Sequence, residues 1–196
     1  MAIGADQGGS VRIPACNCGI VGFKPTFGLV PYTGCGSNEA SNDHLGPMTR
    51  SVMDCAALLE VIAGQDGIDD RGFAAPYARQ VPAFSSELRR LVSPVSLHGL
   101  KVGIISESLT GSVLDPRVRE SFLNAADRLR SIGAEVDEVS IPIHKKGTAI
   151  WTGVSKVAGY LTKLHGSMGR RSYNMVDLNA LMHPLRQSNW DNGYVS

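Results

Sequence analysis

The sequence is short of the features that mark specialised classes. It has no apolar run approaching the roughly 20 residues that a membrane-spanning helix needs, and no basic segment at its start leads into an apolar one, so no signal peptide is expected. No charge sign dominates: 19 Lys and Arg against 18 Asp and Glu leave a net charge of +1. With no basic cluster either, nothing points to nucleic acid or to a membrane surface as a partner. Cysteine is scarce, with four residues at Cys16, Cys18, Cys35 and Cys55. The Cys16-x-Cys18 gap is too short for a zinc hairpin and no paired histidines follow, so no metal is expected. Buried free thiols are the simpler expectation, and reduced thiols in a chain without a leader fit a cytoplasmic location. Asp66, Asp69 and Asp70 miss the ligand spacing of a calcium loop and read as a solvated connection. What remains is ordinary: 43% hydrophobic residues and 19% charged ones over 196 positions, one domain's worth of chain or part of a larger one.

The informative stretch lies at the start, Gly4-Ala5-Asp6-Gln7-Gly8-Gly9-Ser10-Val11-Arg12-Ile13-Pro14. Paired glycines accept backbone angles that a side chain forbids, so the chain can bend sharply there and expose its N–H groups. A serine presented on such a turn has backbone donors close to its Oγ, which is what acyl transfer requires: a nucleophile beside an oxyanion hole. Asp6 and Arg12 flank the turn with opposite charge. Their pairing would hold the loop in place, because a preorganised site needs a supporting layer.

The pattern continues through Cys18-Gly19-Ile20-Val21-Gly22-Phe23-Lys24-Pro25-Thr26-Phe27-Gly28-Leu29-Val30-Pro31 and Asp43-His44-Leu45-Gly46-Pro47-Met48-Thr49-Arg50. From Gly4 to about Gly64 the chain resembles the amidase signature family. The resemblance implies a Ser–cis-Ser–Lys triad that hydrolyses amides, with Ser10 as nucleophile and the backbone amides of Gln7, Gly8 and Gly9 as the oxyanion hole. The family's bridging serine and its lysine lie earlier than any residue of this sequence. It further implies a carboxamide substrate cleaved to acid plus ammonia or amine through a serine acyl-enzyme, with no cofactor. A homodimer is compatible with it. The expected architecture is α/β: a partial amidase-signature fold, with a mixed, mostly parallel sheet flanked by helices on both faces. Residues 1–196 would form the central part of a single amidase-signature domain, incomplete at both ends, weakly active or inactive alone. Two alternatives stand beside this: a non-catalytic truncated remnant, and the A-type subunit of a glutamine-dependent amidotransferase. Phe27 to Gly34 looks more like the stand-alone small-amide hydrolases.

The elements can be read from periodicity. The short apolar run from Ile20 to Lys24 reads as a buried strand. Residues 31–49, interrupted by Gly34, Gly36 and Pro47, read as a long loop. Ser51 and Asp54 form a capping pattern ahead of Cys55, Leu58, Leu59 and Ile62, which share one helical face, and Gly64 stands where a left-handed cap would close that helix. Phe84, Leu88, Leu91 and Val92 give a short amphipathic helix. Lys101–Ile105 reads as a strand. Asp115 and Pro116 start a helix with Val118, Phe122, Ala125, Leu129 and Ile132 inward, ended by Gly133. A second strand from Ala134 to Ile141 completes a βαβ unit with parallel strands. After Pro142 another helix carries Ile150, Val154, Val157, Leu161 and Leu164 on one face.

His44 next to Asp43 invites a Ser-His-Asp reading with Ser10, but adjacency in sequence does not make a triad, which is defined by geometry. His98, His144, His165 and His183 are scattered and read as surface or packing residues. Lys24, the lysine nearest to Ser10 in sequence, precedes Pro25 at a strand end suited to packing rather than proton transfer.

Overall fold

The computed structural model describes residues 1–72, 74–91, 96–110 and 114–155. The chain divides into two compact units, Met1–Leu88 with Trp151–Ser196, and Arg89–Ile150.

In the first unit, strand β1 (Ala2–Asp6) leads through the glycine turn into helix α1 (Arg12–Cys18), then into the two-residue strand β2 (Val21–Gly22). Strand β3 (His44–Thr49) lies between β1 and β2 and pairs antiparallel with both, Asp6 opposite His44 and Val21 opposite Thr49. The expectation of a loop over residues 31–49 is therefore corrected at its end. Gly46 and Pro47 are strand breakers in isolation, which hid β3. Tertiary contact explains both: a Cβ on Gly46 would fall 2.0 Å from the Phe23 carbonyl oxygen, while the Pro47 carbonyl accepts the Phe23 N–H at 3.1 Å. Gly46→Ala should therefore cost about 1–3 kcal/mol through overpacking against backbone, read as a lower urea midpoint. An unchanged midpoint would mean that β2 and β3 can separate freely.

Helix α2 (Val52–Ile62) begins as its sequence dictates, with Ser51 Oγ accepting the Asp54 N–H at 3.1 Å. Cys55 and Leu59 are buried on its inner face. Its end differs from expectation. Gly64 has φ +105°, but its N–H donates to the Leu29 carbonyl at 2.8 Å instead of closing the helix. The core of this unit is Val30, Leu59 and Ala63, with Leu29, Leu45, Ile62, Val81 and Phe84 packed around them. Helix α3 (Phe84–Leu91) is tied to α2 by the Ser85 N–H, which donates to Glu60. Val92, assigned to the same helix from sequence, lies outside the described residues.

In the second unit, strands β4 (Lys101–Ile105) and β5 (Glu135–Val139) run parallel with Lys101 opposite Glu135, joined by helix α4 (Pro116–Ser131). Asp115 caps α4 by accepting the Arg117 N–H at 2.8 Å. The inward stripe is borne out at Leu129, which packs against the core of this unit, and differs elsewhere. Ala126 is the buried position of the helix, packed with Ile104, Ala134 and Val136, while Val118 and Phe122 are exposed. Pro142–Lys146 forms a 3-10 turn and residues 147–155 are helical. Val157, Leu161 and Leu164 lie outside the described residues.

The protein is thus α/β. Among the described strands only the β4–β5 pair is parallel, whereas the three-stranded sheet is antiparallel throughout, against the expected parallel majority. Among the described residues no helix is long and apolar enough to cross a membrane. The expectation of four buried thiols is corrected as well: Cys55 is buried, but Cys16, Cys18 and Cys35 are exposed and all four are free. On α1 the buried position is Ala15, so the two cysteines that follow it fall on the outer side.

Candidate active site

Asp6 organises the turn between β1 and α1. It is 1% exposed, and its carboxylate accepts five hydrogen bonds. Oδ1 takes the Gly9 N–H at 2.8 Å and Arg12 Nη2 at 3.0 Å. Oδ2 takes the Val11 N–H at 3.2 Å, the Arg12 N–H at 3.4 Å and Arg12 Nε at 3.0 Å. Burial alone would raise the pKa of this carboxyl. The Arg12 guanidinium and the N–H groups of Gly9 and Val11 outweigh burial and hold it down at about 2. Asp6 and Arg12, singled out in the sequence as a flanking pair, therefore meet in a two-pronged ion pair.

The loop so pinned carries Gly8, Gly9 and Ser10. Gly9 has φ +124°, a conformation that a side chain would strain. Ser10 is exposed and lies in the turn, ahead of the first helical residue Arg12. The next residue, Val11, is fully buried and anchors the start of α1. The Gly9 N–H is engaged by Asp6. Among the described residues, the N–H groups of Gly8 and Ser10 have no protein acceptor.

A second loop braces the first. Asn38 Nδ2 donates to Gln7 Oε1 at 2.9 Å and Asn42 Nδ2 to the Gln7 carbonyl at 3.0 Å. This loop is shaped by Asp43, whose Oδ2 accepts Ser37 Oγ at 2.8 Å and the N–H groups of Asn38 and Glu39 at 2.6 and 2.8 Å. Gln7 Nε2 is buried with no partner among the described residues. Asn38 and Asn42 were not readable as site residues, because more than 30 positions separate them from the turn they support.

Asp43 and His44 do not form a relay to Ser10. The Asp43 carboxylate is committed to its own loop, and His44 Nδ1 bonds the Asn42 carbonyl at 2.8 Å. The His44 ring packs edge-on to Phe27 at 5.5 Å between centroids, and burial pushes its pKa down. Lys24 Nζ donates to the Pro25 carbonyl at 3.0 Å. Among the described residues, no side chain is hydrogen-bonded to Ser10 Oγ.

Comparison with known proteins gives the family of the chain. The Amidase family matches residues 1–189. The glutamyl-tRNA(Gln) amidotransferase A subunit of Levilactobacillus brevis is 41% identical over 180 residues, covering 90% of this chain and 35% of the relative. The crystal structure of the corresponding A subunit from Thermotoga maritima superposes with a TM-score of 0.71 at 29% identity, over 98% of this chain and 39% of that one. The native peptide amidase of Stenotrophomonas maltophilia gives a TM-score of 0.72 at 29% identity, over 95% of this chain and 37% of that one. The chain thus spans a little over a third of the length of each of these three proteins. From the turn motif, the match along nearly the whole sequence and the shared fold, the chain belongs to the amidase signature family.

Proposed function

We propose that this chain carries the nucleophile of a serine amide hydrolase. The observation that carries the reading is the exposed Ser10 on a turn whose backbone is fixed by the buried Asp6. A rigid loop lowers the reorganisation needed when charge develops on the substrate. Ser10 Oγ attacks the carboxamide carbon, and backbone N–H groups of the Gln7–Gly8–Gly9 run hold the carbonyl oxygen as it becomes anionic. Of these, the Gly9 N–H already serves Asp6, so Gly8 carries more of that charge, helped by the Ser10 N–H. Collapse of the tetrahedral intermediate expels ammonia or an amine, whose proton comes from the base that first took it from Ser10. Water then attacks the acyl-serine and releases the acid.

The base is the part that the described residues do not supply. Lys24 and His44 are both engaged with backbone carbonyls, and the family's lysine, acting through its cis-serine, fits the role. A lysine serves as a base near neutral pH only when burial or a neighbouring cation lowers its pKa. Residues 1–196 are then the central part of a single amidase-signature domain with helices on both faces of its sheet. A cytoplasmic setting agrees with four free cysteines.

The names of the relatives keep a second reading in view, in which the released ammonia passes to an acyl group as in an amidotransferase. A serine-directed fluorophosphonate, applied to this chain joined to an amidase-signature segment that bears the lysine and cis-serine, tests the shared step. Its adduct should map by mass spectrometry to Ser10 and disappear in Ser10→Ala. Labelling elsewhere, or none, would remove Ser10 as the nucleophile. Turnover of glutamine but not of simple amides would favour the transfer reading.

A further inference from the structure

The two glycines before Ser10 differ in what stands over them. A Cβ on Gly8 would fall 2.6 Å from Cε2 and Cζ2 of Trp151 and 2.8 Å from its Nε1. The indole therefore lies on the Gly8 backbone, in the space a side chain would need. A Cβ on Gly9 would fall 2.7 Å from Cδ1 of Ile13. Neither covering residue is a core residue: Trp151 is 41% exposed and Ile13 58%. Isolated exposed apolar side chains are common and need no explanation. Two of them cover consecutive glycines, immediately before an exposed serine on a pinned turn.

We infer that Trp151 and Ile13 form an apolar wall beside Ser10 that sets acyl-group specificity, and that the site prefers amides bearing a flat aromatic or bulky apolar acyl group. The inference rests on the proposed function and deepens it. Two residues of chain reach at most roughly 7 Å, so the indole against Gly8 stands close to Ser10. An acyl ring bonded to the attacked carbon would stack on the indole with centroids about 4.5–7 Å apart, the range that aromatic pairs favour. A free amino acid amide such as glutamine presents an ammonium and a carboxylate instead; the isoleucine offers neither a partner, and the indole offers only its π face to the ammonium or its single N–H to the carboxylate, without a counter-charge for either. Gly8 belongs to the same device, because any larger residue would push the indole off the loop.

The chain has two tryptophans, Trp151 and Trp190, so Trp190→Phe leaves Trp151 as the sole tryptophan fluorophore. Titration of that variant with benzamide should give a saturable change in Trp151 emission, and acetamide should give none over the same range. The change should persist when Ser10→Ala is added, since stacking does not use the hydroxyl. By calorimetry, Trp151→Ala should bind benzamide about tenfold more weakly and Trp151→Phe should recover most of the loss, in keeping with the worth of an aromatic pair. Far-UV circular dichroism on each variant separates loss of the wall from loss of the fold, and the Phe variant keeps the test open should the Ala variant unfold. Equal responses to benzamide and acetamide, or benzamide affinity unchanged in a folded Trp151→Ala, would overturn the inference. The two readings fail separately. Fluorophosphonate labelling of Ser10 without any aromatic preference would remove the wall and leave the hydrolase. Aromatic binding without labelling would keep the wall and remove the nucleophile.

Discussion

Assayed alone, the 196-residue chain should release ammonia from simple amides at no more than about 10⁻²–10⁻⁴ of the rate seen when the same residues are joined to an amidase-signature segment bearing the lysine and cis-serine. That ratio is the usual worth of a positioned general base. A serine hydroxyl is a weak nucleophile until a base removes its proton during attack, and no side chain among the described residues is bonded to Ser10 Oγ. Lys24 is held on the Pro25 carbonyl and His44 Nδ1 on that of Asn42, so neither is free to turn toward Ser10 without breaking a bond. The oxyanion donors would remain, and by analogy with other serine hydrolases they could sustain a residual of about 10³–10⁴ over water. The measurement is ammonia release across a panel of amides by both proteins. Equal turnover, abolished in each by Ser10→Ala, would show that a base is present within these residues.

The largest effect on stability is expected at Asp6. Asp6→Asn should destabilise the first unit by about 3 kcal/mol, because both carboxylate oxygens are acceptors and an amide has only one. Oδ1 serves Gly9 and Arg12, and Oδ2 serves Val11 and Arg12 through its N–H and Nε. Whichever way the Asn amide turns, its NH₂ faces donors, and a buried N–H left without an acceptor costs about 1–3 kcal/mol. The Coulombic share is smaller, since the Arg12 side chain is half exposed and its charge is screened by water. Arg12→Ala should accordingly cost less than Asp6→Asn. Urea midpoints of the two variants decide the order.

The same site predicts a pH dependence. The folded pKa of Asp6, about 2, lies below the roughly 3.9 of an unfolded aspartate. Its ionisation therefore stabilises the fold fully above the unfolded value, and this contribution is lost as pH falls through about 4 toward about 2. Denaturant midpoints measured from neutral pH down to about 3 should fall more steeply for the native chain than for Asp6→Asn. Parallel curves would mean that the carboxylate gains nothing from its partners.

How legible the site was depends on the range of each interaction. The pairing of Asp6 with Arg12 spans six positions, and the turn they hold is local, so opposite charges around paired glycines were enough to point to it. Gln7 is fixed instead by Asn38 and Asn42, and no local pattern marks those asparagines as partners of a glycine turn. Trp151 was still less accessible: it comes 143 positions after Gly8, and it falls outside the apolar face read for its helix from Ile150 and Val154.

The same division holds for the fold. The sequence by itself determined the elements whose signals are short in range: the cap of α2 at Ser51, the start of α4 at Asp115 and Pro116, the strand at Lys101–Ile105, and the glycine turn that presents Ser10. Each rests on a hydrogen bond, a backbone angle or a periodic apolar face encoded within a few residues. Only the tertiary structure decided β3, where Gly46 and Pro47 look like breakers until the backbone of Phe23 is placed against them. It also decided that β3 enters between β1 and β2, that Gly64 bonds Leu29 instead of its own helix, and that Trp151 lies on Gly8. Contacts between distant segments leave no periodic trace, because the space available at each position is set by residues the local sequence does not contain.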